Sequence, residues 1–150
     1  MISSVRKFFQ RKPLVVVIRL DGVIGAVSRF GSGGLDDSNT QKLLEKAFEF
    51  EKAKAIAIKI NSPGGSPTQS SLIASRILKL SEEKKIPVLC FCEDVAASGG
   101  YWLACAGEEI YSDINSIIGS IGVISASFGF SELISRYGIC LLYTSPSPRD

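Results

Sequence analysis

The chain of 150 residues contains no histidine. Without an imidazole neither a Ser-His-Asp nor a Cys-His site can be built, and the common catalytic zinc sets lose their usual ligand. An excess of charge of one sign is missing too: 17 basic residues stand against 15 acidic ones, a net +2. Nucleic-acid-binding proteins usually carry a clustered basic face, so this balance gives no electrostatic case for such a partner. Long apolar runs are also absent. The run that begins at Leu14 stops at Arg19, too short for a signal-peptide core or for the roughly 20 residues of a transmembrane span. What remains, 45% hydrophobic and 21% charged residues, is the composition of a globular chain with room for one compact domain.

The four cysteines, Cys90, Cys92, Cys105 and Cys140, contain no C-x2-C pair. Cys90 and Cys92 would share one side of a strand, where two neighbours bridge poorly. All four read as buried reduced thiols suited to a reducing compartment, with no metal site and no cofactor. Residues 1–12 are basic with adjacent phenylalanines Phe8 and Phe9. They read as a solvated terminus capable of peripheral membrane contact. With no export signal, the expected location is the cytoplasm, touching the inner membrane face.

Leu14–Leu20 is β-branched and almost continuously apolar, the pattern of a buried strand. Asp21-Gly22 and Phe30–Gly34 read as turn and loop. Asp36, Asp37 or Ser38 can cap a helix running to about Lys52, with Leu43, Leu44, Ala47 and Phe48 inward. Ala55–Ile60 is a second strand, ending in the turn-rich Asn61–Ser66. Pro67 suits the first turn of a helix that ends near Lys85, with Leu72, Ile73, Ile77 and Leu80 as its inward stripe. Ile86–Cys92 is a third strand, and Ala97–Ala106 turns at once into a short helix. Ile110-Tyr111 and Ile121–Ile124 are short strands, and Ser131–Tyr137 a last helix. Strands alternating with helices predict an α/β domain with a largely parallel sheet, whose sites form at the carboxyl ends of the strands.

Two glycine motifs fall there. Ser98 follows a strand and opens a helix beside Gly99-Gly100, so little bulk hinders its hydroxyl and unpaired backbone N–H groups lie close by. The same position equally suits a serine N-cap. Asn61-Ser-Pro-Gly-Gly65 lets backbone approach a ligand closely, or is simply a tight turn. The spacing of a phosphate loop is absent.

Asn61-Ser-Pro-Gly-Gly-Ser66 and Asp94-Val-Ala-Ala-Ser-Gly-Gly-Tyr-Trp102, with Gly119-Ser-Ile-Gly-Val123, resemble the signature of the signal peptide peptidase family, S49 type, in its short bacterial form. The resemblance runs from about Leu14 to Ile139. It implies a ClpP/crotonase-like α/β fold of repeated strand-strand-helix units. The activity it implies is that of a serine endopeptidase working through a Ser/Lys dyad and an acyl-enzyme. On matching positions Ser98 is the nucleophile, Gly99 and Gly65 carry the oxyanion donors and Gly64 shapes the turn. Tyr101 and Trp102 fall beside them, as buried core or as lining of the site. Implied partners are peptide substrates, remnant signal peptides among them, and further copies of the chain in homo-oligomeric rings.

The dyad lysine has no matching position, because no lysine follows Lys85. Lys59, close to the Ser-Pro-Gly-Gly turn, is a weak substitute, and Lys84 and Lys85 read as a solvated helix end. Residues 140–150 break the pattern and resemble a translated library adapter. The chain is therefore expected to divide into the basic segment 1–12, a partial peptidase domain over 13–139 and a non-native tail over 140–150. The lysine is then expected beyond Ile139 in the natural protein, and this fragment is expected to be inactive. Two alternatives share the fold. One is a crotonase-like acyl-CoA hydratase or isomerase, which needs carboxylates such as Glu93 or Asp94 in the pocket; the other is a non-catalytic pseudoenzyme or scaffold.

Overall fold

A computed structural model describes residues 13–25, 34–122 and 131–138. Strand β1 (Leu14–Asp21) is followed by helix α1 (Asp37–Phe48), β2 (Ala53–Ser62), α2 (Pro67–Lys84) and β3 (Val88–Ala97). The short elements α3 (Gly99–Ala104), β4 (Glu109–Ser112), β5 (Ile117–Gly119) and α4 (Ser131–Arg136) complete the order. All strand pairs are parallel, in the order β1-β2-β3-β4. The long β3 pairs with β4 through its first half and with β5 through Val95–Ala97. Small parallel bridges join Ile24 to Leu35 and to Gly65, so each of the first two strands is followed by a second extended piece and then a helix. This is the strand-strand-helix repeat of the ClpP-like α/β fold.

One face of the sheet makes the core. Ile18 and Leu20, then Ile56, Ile58 and Ile60, then Val88, Cys90 and Cys92 alternate along their strands toward Leu44, Phe48, Ile73, Ile77 and Leu103 of the helices. The opposite face carries Val15 and Val17, both exposed, with Phe91 and Tyr111 stacked at 5.0 Å between ring centroids. Toward the carboxyl ends of the strands this face turns ionic: Glu93 receives Arg19 at 2.8 Å and also contacts Lys59.

The helix ends follow local chemistry. Asp36 caps α1 by accepting the Asn39 N–H at 2.7 Å, and Ser66 caps α2 with Pro67 at its first position. The α2 helix ends at Lys85 in the left-handed region, φ 54°. Several expectations need correction. The α1 helix stops at Phe48 rather than near Lys52, because Ala53 is already buried at the start of β2. Leu43 and Leu72 are exposed; Thr40 and, in α2, Ser70 and Ala74 take the inward positions instead. At 100° per residue the two leucines lie beside the buried stripe rather than on it. The third strand runs five residues past Cys92, to Ala97. The short strand expected at Ile121–Ile124 is instead β5 at Ile117–Gly119; Ile121 and Gly122 are irregular, and Val123 and Ile124 lie outside the described residues. Segments 1–12 and 140–150 also lie outside them.

The two long helices are pinned together by polar groups. Arg76 of α2 holds Asp37 of α1 with both carboxylate oxygens, Nε to Oδ1 at 2.8 Å and Nη2 to Oδ2 at 2.7 Å. Gln69 Oε1 accepts the Asp37 N–H at 2.8 Å. The Arg76 hydrogen bonds hold the Asp37 carboxyl below its ordinary pKa, against a smaller opposing effect of burial. A depressed folded-state pKa contributes stability above the unfolded value that is lost as pH falls through the folded one. Arg76→Ala is therefore expected to destabilise the protein by about 1 kcal/mol at pH 7 and by much less below pH ~3. Urea unfolding of the two proteins at both pH values measures the difference.

Candidate active site

Ser98 lies at the junction of β3 and α3 with φ 53° and ψ −118°, a conformation that costs a non-glycine residue of order 1–3 kcal/mol. Two backbone hydrogen bonds hold it there. The Ser98 N–H donates to the Gly119 carbonyl at 2.8 Å, and the Ser98 carbonyl accepts the Trp102 N–H at 3.0 Å. Although Ser98 occupies the cap position of α3, its hydroxyl makes no capping hydrogen bond. The N-cap reading of this serine is thereby overturned. A strained strand-to-helix turn of this kind presents a hydroxyl at the carboxyl edge of a sheet.

The Pro-Gly-Gly turn comes up against this junction. Gly64 has φ 96° and Gly65 φ 149°, both in the region that favours glycine. A Cβ on Gly64 would lie 2.7 Å from the Ala97 carbonyl oxygen and 2.8 Å from the Gly99 nitrogen, and one on Gly65 would overlap the Ile24 carbonyl. Side chains are excluded at both positions. The Gly64 carbonyl accepts the Ile24 N–H at 2.9 Å, and the Ser66 N–H donates to Ile24 at 2.9 Å. In a trans peptide N–H and C=O point oppositely, so the Gly65 N–H is aimed away from Ile24. By the same rule the Gly99 N–H points away from the Ser98 carbonyl, out of the end of α3. Neither N–H donates to a described backbone or side-chain acceptor.

Gly65, Ser98 and Gly99 line one cavity of about 300 Å3. Its walls are Pro67, Tyr101, Trp102, Cys105, Ile121 and Gly122, with no charged side chain. Gly64 is not in the wall; it lies directly behind Ser98. Trp102 is 46% exposed, so its expected place in the buried core is corrected: with Tyr101 it forms the cavity wall. Cys105 is exposed at the same wall, which corrects the reading of all cysteines as buried; Cys90 and Cys92 are buried and Cys140 lies outside the described residues.

The remaining candidates are elsewhere. Lys59 projects from the opposite sheet face to Glu93, and Lys84 and Lys85 are exposed at the far end of α2. Glu93 is bound to Lys59 and Arg19, whose contacts lower its pKa, Lys59 foremost. Asp94 Oδ2 accepts from Asn61 Nδ2 at 3.3 Å. Neither carboxylate lines the cavity, so the acyl-CoA reading finds no carboxylate among the described residues of its wall. Among the described residues no cluster of three or more His, Cys, Asp or Glu side chains could hold a metal ion. Ile24 and Gly119 show no site signal in sequence, because they hold the two turns through backbone atoms alone; Ser70 shows none because its hydroxyl fills the space beside Gly99.

The chain is similar to known proteins in sequence and in fold. Residues 81–144, which include Ser98, match the sequence model of peptidase family S49. The chain is 37% identical over 128 residues to the chloroplastic serine protease SPPA of Arabidopsis thaliana, covering 83% of this chain and 18% of that protein. It is 32% identical over 127 residues to Protease 4 of Haemophilus influenzae, covering 83% and 20%. A stretch of a Brucella melitensis protein named Na(+)/H(+) antiporter NhaA is 49% identical over 134 residues, covering 89% of this chain and 18% of that one. With 18% of that protein covered, its name says nothing of this chain. No helix among the described residues is long and apolar enough to cross a membrane. The chain thus spans a fifth or less of these relatives. Among solved structures, a membrane-bound stomatin-specific protease (1510-N, a serine-to-alanine mutant) superposes with a TM-score of 0.58 at 21% identity, over 85% of this chain and 60% of that one. That likeness concerns the fold.

Burial pushes the Cys90 thiol up to about 12, and burial also raises Cys92. Alkylation of the folded chain at pH 7.5 is expected to modify Cys105 while Cys90 and Cys92 stay protected, as peptide mapping by mass spectrometry will show.

Proposed function

We propose that the natural protein is a serine endopeptidase of the signal peptide peptidase type, with Ser98 as nucleophile and the N–H groups of Gly65 and Gly99 as oxyanion donors. The observation that carries this reading is the Ser98 hydroxyl, which caps no helix N–H and has no hydrogen-bond partner among the described residues, held in a strained turn in one cavity with two N–H groups that have no described acceptor. Ser98 Oγ attacks the scissile carbonyl and its proton passes to a neutral amine base. The oxyanion takes the Gly65 and Gly99 N–H groups, the C–N bond breaks, and the base returns the proton to the leaving amine. Water then hydrolyses the ester and frees Ser98.

The chain has no histidine, and no lysine is among the described residues of the cavity wall, so the reading assigns the base to a dyad lysine for which these 150 residues offer no match. Its pKa must be lowered by burial from about 10.4 toward neutrality. The fragment alone is then inactive. The tail 140–150 is read as foreign, and the working form as a homo-oligomer. The uncharged wall of Pro67, Trp102 and Ile121 suits an apolar side chain beside the scissile bond, in keeping with remnant signal peptides met in the cytoplasm at the inner membrane face.

Ser98→Ala in the full-length enzyme is expected to lower kcat/KM on an apolar peptide substrate by about 10³-fold or more. Activity unchanged by this substitution would exclude the serine mechanism and favour a scaffold or a different chemistry on the same fold.

A further inference from the structure

Ser62 is fully buried, with an exposure of 0%, and sits between the two halves of the site. Its hydroxyl donates to the Gly22 carbonyl at 2.6 Å and accepts the Gly64 N–H at 3.2 Å. The first bond ties β2 to the turn after β1. The second fixes the peptide that enters Gly64. The Gly64 carbonyl is fixed separately by Ile24.

We infer that Ser62 is a positioning residue that aims the Gly65 N–H at the reacting carbonyl, an inference that rests on the reading of Ser98 as nucleophile. Gly64 has no side chain to restrict its torsions, and its φ of 96° lies where glycine alone is at ease. The Gly64–Gly65 peptide is held through its own carbonyl by the Ile24 N–H. The preceding peptide is held through the Gly64 N–H by the Ser62 hydroxyl, so the two bonds together fix the torsions at Gly64 that aim the Gly65 N–H. Without that hydroxyl the buried Gly64 N–H loses its partner, and the tie from β2 to the half-buried Gly22 is cut, so Gly64 gains by rotating toward another acceptor. Rotation of Gly64 turns the Gly65 N–H with it. Ser62 never reaches the cavity itself: its residue is absent from the wall.

A group that only aims an oxyanion donor acts on the transition state and not on ground-state binding. In the full-length enzyme, Ser62→Ala is expected to lower kcat by about 10- to 100-fold, less than the loss of a whole donor, with KM within about twofold. The affinity of a peptide aldehyde, which forms a tetrahedral adduct with the serine, is expected to fall by the same factor as kcat/KM. If Ser62→Ala does not fold, Ser62→Cys, which keeps the bulk and a weaker acceptor, is read by the same two measurements. Ser98→Ala is measured alongside. An unchanged kcat and aldehyde affinity in the Ser62 variant, beside an inactive Ser98→Ala, would overturn the role of Ser62 alone. Activity retained by Ser98→Ala would overturn the serine reading and the role of Ser62 with it.

Discussion

The Gly64 backbone lies against the Ala97–Gly99 backbone so closely that no Cβ fits between them. That approach joins two turns separated by 34 residues of chain and makes one site of them. It requires glycine at position 64, since any side chain would meet the Ala97 carbonyl and the Gly99 nitrogen. Room on the far side is equally tight. A Cβ on Gly99 would overlap Ser70 Oγ, and one on Gly100 would overlap the Ser62 carbonyl. The small residues of both motifs are therefore packing requirements before they are chemical ones.

Strain at Ser98 is sustained by this crowding. A positive φ at serine is unfavourable alone, yet the Gly119 carbonyl, the α3 helix and the Gly64 turn each fix a neighbouring atom. Cooperation among β2, β3 and β5 thus holds a hydroxyl free of local partners. The β2–β3 register supports the same arrangement. Between Ile60↔Cys92 and Ser62↔Ala96 extra residues are accommodated in β3, and Asn61 spans the gap by accepting the Val95 N–H at 3.2 Å. The irregularity lets β3 continue to the serine.

Much of this was legible in the chain. The apolar runs of Leu14–Leu20 and Ala55–Ile60, Pro67 in a first helical turn and the two glycine motifs at strand ends foretold the parallel α/β layers. The first run was expected to be a buried strand, yet Leu14, Val15 and Val17 are exposed and only Ile18 and Leu20 are buried, because β1 has a single sheet neighbour among the described residues and one face packed by helices. Other parts were hidden for physical reasons. Glu93 and Asp94 interrupt the apolar run, so a strand that continues through them on the strength of the Asn61 side chain has no periodic signal. Leu43 and Leu72 are apolar but lie to the side of their helices' buried stripes, where tertiary packing decides. The exposure of Trp102 and Cys105 follows from their place in a cavity wall, which no local pattern encodes. Ile24 shows none of its role, because it contributes only its N–H and carbonyl to the turn.

Whether Ser98 is the reacting group is decided by treating the full-length enzyme with a peptidyl phosphonate that bears an apolar side chain and mapping the adduct by mass spectrometry. A nucleophilic Ser98 gives one covalent adduct per chain, on Ser98, formed in step with loss of activity. An adduct on another residue, or loss of activity with Ser98 unmodified, rules that role out.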